Sequence, residues 1–187
     1  MRRSLFILLS ALFVAAGTAT SLPVSAASDM ENLARTLHDS QFSTHVERLL
    51  KNNNAAQALE LADIGIARNA RNVQLRFMRT VALDALGRRE EAASGLNALI
   101  REYPEIPDPY NNLAVIEAGF GNLEHAAELL RKALTINPNF ALAQKNLGDV
   151  YLALAVENYE RSAAVLTRNA ELQSRLKTLK RITKDGV

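Results

Sequence analysis

Three histidines, His38, His45 and His125, are the first residues to test for chemistry. His38 and His45 stand seven positions apart, near Asp39 and Glu47, so a helix through both would carry them on one face. Two imidazoles beside a carboxylate would be the beginning of a metal site or an acid–base pair. The rest of such a site is missing: there is no H-E-x-x-H spacing, no cysteine and no glycine-rich phosphate loop. No Ser/His/Asp order stands out as a hydrolytic triad. With 20 acidic side chains on a helical chain, neighbouring carboxylates arise from density alone. His125 falls in the first turn of a helix and reads as a surface residue. The expectation is a protein with no metal, no cofactor and no active site, and hence not an enzyme.

Without reactive groups, the informative feature is the set of elements that would position whatever does bind. Between Pro107 and Phe140 apolar residues recur at helical spacing twice. The first series is Tyr110, Leu113, Ala114 and Ile116. The second is Leu123, Ala126, Ala127, Leu130, Ala133, Leu134 and Ile136. Gly119-Phe120-Gly121-Asn122 divides the two, and Pro138 ends the second. One helical hairpin cannot bury its own apolar face, so the chain needs copies of it. It has them, at one constant interval. Pro138 corresponds to Pro104, Gly121 to Gly87 and Asn53, Ala126 to Ala92 and Ala58, and Leu130 to Leu96; forward, Asn112-Leu113 corresponds to Asn146-Leu147. Small alanines let the two helices of a hairpin approach closely. Glycine or asparagine at the turn permits a left-handed backbone, and proline stops the second helix.

A recurrence of about 34 residues with these residue types in phase resembles the tetratricopeptide repeat (TPR), over roughly residues 41–154. The central unit carries the pattern at Tyr110, Leu113, Ala114, Ala126, Leu130, Ala133 and Pro138, and departs from it at Glu117. The last unit matches at Leu147, Gly148 and Tyr151 but has Gln144 in the first aromatic slot. The unit before the central one has Arg76, Arg79 and Thr80 early on, and the first has Ala70 in place of proline. The resemblance implies an all-α superhelix of stacked hairpins. It says little about function, because the fold is a generic binding scaffold.

Residues 1–27 read as a signal peptide: Arg2-Arg3, a short apolar run from Leu5 to Ala16, then Ser25-Ala26-Ala27 for cleavage after Ala26 or Ala27. The run is too short for a comfortable membrane span, although retention as an N-terminal anchor is the competing reading. Cleavage removes Arg2 and Arg3 and no acid, which leaves 20 basic against 20 acidic side chains. No bulk attraction to nucleic acid or anionic membrane follows. The absence of cysteine excludes disulfide staples and lipid attachment, so stability must come from packed helices. Export to the periplasm of a Gram-negative bacterium, or secretion, is the expected location.

After the signal, Ser28 and Glu31 form a capping box for a short helix that covers the start of the stack, within a capping segment 28–40. Repeats then occupy 41–140, with helices around Phe42–Leu50, Ala55–Arg68, Val73–Leu86 and Arg89–Tyr103. Asp108 is expected to cap a helix that begins at Pro109. In 141–187 the last repeat lacks about five turn residues after Leu154, and only Gly148 interrupts Ala141–Thr183 as a glycine or proline. The expectation is a fused C-terminal helix on the order of 40 residues. Its apolar stripe runs through Leu147, Tyr151, Leu154, Tyr159, Ala163, Leu166 and Ala170, then shifts phase to Leu172, Leu176 and Leu179. Such a helix either caps the stack, or exposes Leu166, Leu172, Leu176 and Leu179 to a second copy as a homodimer. Its basic run, from Arg161 to Lys184, reads as a solvated face or as a contact for anionic lipid.

In TPR proteins the first helices of successive units line a concave groove. The resemblance places Arg76, Arg79, Asn111, Asn112, Lys145, Asn146 and Asp149 there. Asn112 and Asn146 occupy equivalent slots, and an amide can both give and accept a hydrogen bond from an extended peptide backbone. In some TPR domains Asn and Lys in such slots hold a peptide's terminal carboxylate, which Lys145 with Asn112 and Asn146 would imitate. The reading is a non-catalytic interaction scaffold of the cell envelope whose partner is another protein or a peptide segment. The alternative is a self-assembling component of an envelope complex that oligomerises through the C-terminal helix.

Overall fold

A computed structural model of the chain describes residues 28–185; the segment read as a signal peptide lies outside them. Nine α-helices occur among the described residues: α1 Asp29–Thr36, α2 Phe42–Lys51, α3 Ala55–Arg68, α4 Val73–Ala85, α5 Arg89–Glu102, α6 Pro107–Gly119, α7 Leu123–Ile136, α8 Ala141–Val165 and α9 Ala170–Asp185. A 3-10 turn, Asp39–Gln41, precedes α2, and the described residues contain no strand. The helices pair as α2–α3, α4–α5 and α6–α7, and each pair packs on the next. This is the all-α superhelix of stacked hairpins that the repeat spacing implies.

The turns show why the spacing is so regular. Asn53, Gly87 and Gly121 all adopt positive φ, at 59°, 74° and 85°, and follow one another at the repeat interval. The same pair of hydrogen bonds closes the first helix at Gly87 and at Gly121. In the former, Gly87 N–H donates to Asp84 O and Arg88 N–H to Leu83 O, at 2.8 and 2.9 Å. Small residues follow at equal phase. Ala58, Ala92 and Ala126 are each fully buried, which brings paired helices into close contact. One continuous apolar core runs from Met30 to Val150.

The capping box at Ser28 forms as expected, with Glu31 N–H on Ser28 Oγ and Ser28 N–H on Glu31 Oε2. The helix it starts lies on α3, where Arg68 donates to Ala34 O and Leu37 O. Asp108 does not cap α6. The helix starts at Pro107, and both Pro107 and Pro109 sit in its first turn, where a missing N–H costs nothing.

The C-terminal region departs from the expectation in length. α8 does run through Leu154–Ala155 without a turn, so the fusion of the two half-helices is present. It ends at Val165, however, after 25 residues rather than about 40. Leu166–Asn169 form a turn, and Asn169 caps α9 by accepting Leu172 N–H at 2.9 Å. An asparagine cap thus breaks the helix without glycine or proline. α9 folds back on α8, with Lys180 paired to Glu160, and it buries Leu172 and Leu176 within the chain. Those two leucines are therefore not displayed to a second copy, while Leu166 remains half exposed.

Candidate functional site

The face formed by the first helices of the repeats, α4, α6 and the first half of α8, is shaped by asparagine. Asn111 on α6 is 2% exposed. Its Oδ1 accepts Nδ2–H from Asn146 of α8 at 2.9 Å, and its own Nδ2–H donates to Asn112 Oδ1 at 3.1 Å. Three amides therefore form a relay across two adjacent repeats. A buried amide is tolerated only when bonded, and here both ends of Asn111 are. At the outer ends, Asn112 Nδ2 keeps donor capacity and Asn146 Oδ1 keeps acceptor capacity, with no partner on either among the described residues.

Two hollows flank the relay. One, of about 350 Å³, lies between α6 and α8 over α7, lined by Ala114, Val115, Ala118, Leu130, Asn146, Asp149, Val150 and Ala153. The other, of about 290 Å³, lies between α4 and α6, lined by Thr80, Val81, Asp84, Leu96, Asn111, Asn112, Val115, Leu142 and Asn146. Val115 and Asn146 belong to both and form the ridge between them. Val115 and Leu142 are 48% and 52% exposed, so this face presents apolar side chains to solvent around a polar centre. That combination fits an amphipathic polypeptide segment.

The seven residues expected on this face divide into two sets. Asn111, Asn112, Asn146 and Asp149 come together at the hollows. Arg76, Arg79 and Lys145 do not line them. Arg76 donates to both oxygens of Glu102, at 2.6 and 2.8 Å, with its guanidinium 5.9 Å from the Tyr103 ring centre. That hydrogen bond raises the Arg76 pKa against the opposing effect of burial, and holds Glu102 below the usual carboxylate range. Arg79 is tied to Asp63 of α3 at 2.6 Å. Lys145 pairs along its own helix with Asp149 at 2.6 Å; both are well exposed, so the pair opens at little cost. Sequence reasoning does not find the apolar members Val81, Val115 and Leu142. Val81 and Val115 stand one repeat interval apart and off the core stripe, which is the available signal.

The histidines do not combine. His38 precedes the 3-10 turn, with Nδ1 3.0 Å from Ser40 Oγ, and so does not share a helix with His45, which contacts Arg48 at 2.8 Å. His125 lies 3.7 Å from Glu128. No group of three or more metal-binding side chains occurs among the described residues. No helix among them is long and apolar enough to cross a membrane.

Neither the protein-family models nor the curated proteins include a match to this chain. Solved structures do match it, as folds. The first TPR domain of human RPAP3 is 19% identical, with a TM-score of 0.60 over 64% of this chain and 94% of that one. The first TPR of Spaghetti (RPAP3), bound to the HSP90 peptide SRMEEVD, is 20% identical, with a TM-score of 0.58 over 63% and 93%. MamA is 13% identical, with a TM-score of 0.59 over 83% of this chain and 85% of its own. The chain is thus a tetratricopeptide fold.

Proposed function

We propose that this tetratricopeptide-fold chain is a non-catalytic interaction scaffold that takes an extended segment of a partner protein along α4, α6 and α8. The observation that carries the reading is the amide relay through Asn111, which leaves a donor on Asn112 and an acceptor on Asn146 between two hollows, one mainly apolar and one of mixed lining. A peptide backbone offers the complementary C=O and N–H, and its side chains alternate into hollows on either side. The structurally similar TPR of Spaghetti was solved with a peptide bound, which supports the same use of the fold here. Preformed helices lower the ordering cost of such binding.

The working location is the cell envelope, reached by the signal-like residues 1–27, with the periplasm as the compartment. The test is affinity capture by the mature chain from an envelope extract, repeated with Asn112→Ala and Asn146→Ala. Each lost backbone bond weakens binding by about 0.5–1.5 kcal/mol, or roughly 2- to 12-fold. A partner retained equally by both variants would rule this face out.

A further inference from the structure

The fourth repeat is left open. In the third, α7 folds back on α6 and the seam is dry: Leu113, Ala114, Ala126 and Leu130 are at most 1% exposed. In the fourth, residues corresponding to Gly121–His125 are missing from the sequence, so the two halves of the hairpin lie end to end on α8. A straight helix cannot fold onto itself, and each half shows the face its counterpart buries. On the first half Gln144, Gly148 and Tyr151 are exposed, and a Cβ placed on Gly148 would meet nothing within 4 Å. On the second half Ala155 and Tyr159 are only half-buried, at the positions of fully buried Ala126 and Leu130.

The seat on that second half is already built. α9 lies on it as the first half of α8 lies on α7, in one constant register. Leu172, Leu176 and Leu179 repeat Ala143, Leu147 and Val150, and the Lys180–Glu160 pair repeats the Tyr151–Arg131 contact. Tyr159, Arg175, Thr178 and Leu179 wall a hollow of about 320 Å³, and their counterparts Leu130, Asn146, Asp149 and Val150 wall the hollow beside α7. There α6 supplies the remaining wall through Ala114, Val115 and Ala118. Among the described residues, nothing takes the place of α6 at the α8–α9 hollow. By register the missing piece is the stretch equivalent to α6, the first half of α8, which its own chain cannot deliver there.

We propose that a second copy delivers it: two chains pair about a two-fold axis, their α8 helices antiparallel and crossing between Tyr151 and Leu152. Gly148 of each copy then lies beside Ala155 of the other, and the fourth repeat closes twice, in trans. The facing stripe, Gln144, Gly148, Tyr151, Ala155, Tyr159 and Ser162, follows steps of three and four along one side of α8. It carries no charge, as a surface that meets its own copy requires. Each chain offers both a seat and an occupant, which doubles the contact toward the roughly 1,200–2,000 Å² of a stable interface. The pairing leaves the asparagine relay free, because Asn146 lies on another side of α8 from the facing stripe.

The test exploits the absence of cysteine. In a Gly148→Cys/Ala155→Cys double variant the two thiols lie two turns apart on one helix, about 10 Å, beyond the reach of roughly 7 Å for a disulfide within the chain. Mild oxidation is expected to give a covalent species of twice the mass of the single chain on a non-reducing gel, with less than about a tenth as much from either single variant. Sedimentation equilibrium of the unaltered chain is expected to show a dimer. Gly148→Leu has open space within one chain but strikes Ala155 of the second, and should weaken the dimer at least about tenfold with the helix content unchanged. A chain that stays monomeric up to about 100 μM overturns the proposal. So does a dimer that neither cross-links through this pair nor responds to Gly148→Leu.

Discussion

Asn111 is the residue through which fold and binding face can be separated. Its side chain is almost wholly buried at the floor of one hollow and offers a ligand almost no surface of its own, yet it holds both neighbouring asparagines. Asn111→Ala removes two hydrogen bonds, each worth about 0.5–1.5 kcal/mol net, and water can re-satisfy the outer amides, which places the loss near the lower end. Alanine also suits a helix interior better than asparagine by roughly 0.5 kcal/mol. The expected net destabilisation is about 1 kcal/mol, or a fall in Tm of about 2–4 °C for a domain of this size. Binding should suffer separately, because the amides of Asn112 and Asn146 are freed to rotate and must be re-ordered by the ligand. A roughly 5-fold weaker Kd corresponds to about 1 kcal/mol. Calorimetric titration of the captured partner segment, beside a thermal scan, gives both numbers. Asn111→Leu refills the volume and should recover most of the stability without recovering the affinity. If Asn111→Ala and Asn111→Leu both bind as tightly as the unaltered chain, the relay does not orient the site and the reasoning is refuted.

Three further outcomes follow from local structure. Gly121→Ala must place a side chain at φ 85°, which costs about 1–2 kcal/mol and should lower the urea midpoint, whereas Asn53→Gly at the equivalent turn should not. Asn169→Ala removes the cap of α9 at a cost of about 1 kcal/mol; hydrogen exchange should quicken in α9 while α2–α7 keep their protection. The Arg76–Glu102 pair gives a pH signature. Its carboxylate is held below the usual range, so its contribution to stability is present above the unfolded pKa and is lost as pH falls through the folded value. The stability difference between the unaltered chain and Glu102→Gln should therefore shrink as urea titrations are moved from neutral pH into the acid range. A difference that stays constant would show that the ion pair is not its source.

The repeat itself is legible because it is written in backbone and volume requirements. Asn53, Gly87 and Gly121 stand where φ must be positive, and Ala58, Ala92 and Ala126 where helices touch. The capping box at Ser28 is equally plain, being local. The break in the C-terminal helix is harder to read, since Leu166–Asn169 contains neither glycine nor proline. Its trace is the phase shift of the apolar stripe from Leu166 to Leu172, and its agent is a single asparagine cap. The site is half legible. Spacing leads to Asn112 and Asn146, but not to the bond that joins Asn146 to Asn111, which spans two repeats. Arg76 and Arg79 stand one interval before Tyr110 and Leu113, in the core phase and not that of Asn111 and Asn112, and their partners Glu102 and Asp63 lie 26 and 16 residues away, where periodicity carries no information. Val115 and Leu142 escape because exposed apolar residues are ordinary on any surface until a hollow is seen beneath them.

The direct measurement of the binding claim is hydrogen exchange across the mature chain with and without the captured partner segment. Added protection is expected at α4, α6 and the first half of α8, around Val115 and Asn146, with α3, α5 and α7 unchanged on their outer sides. Protection confined to the second helices, or absent from α6 and α8, would contradict a partner seated on the asparagine relay.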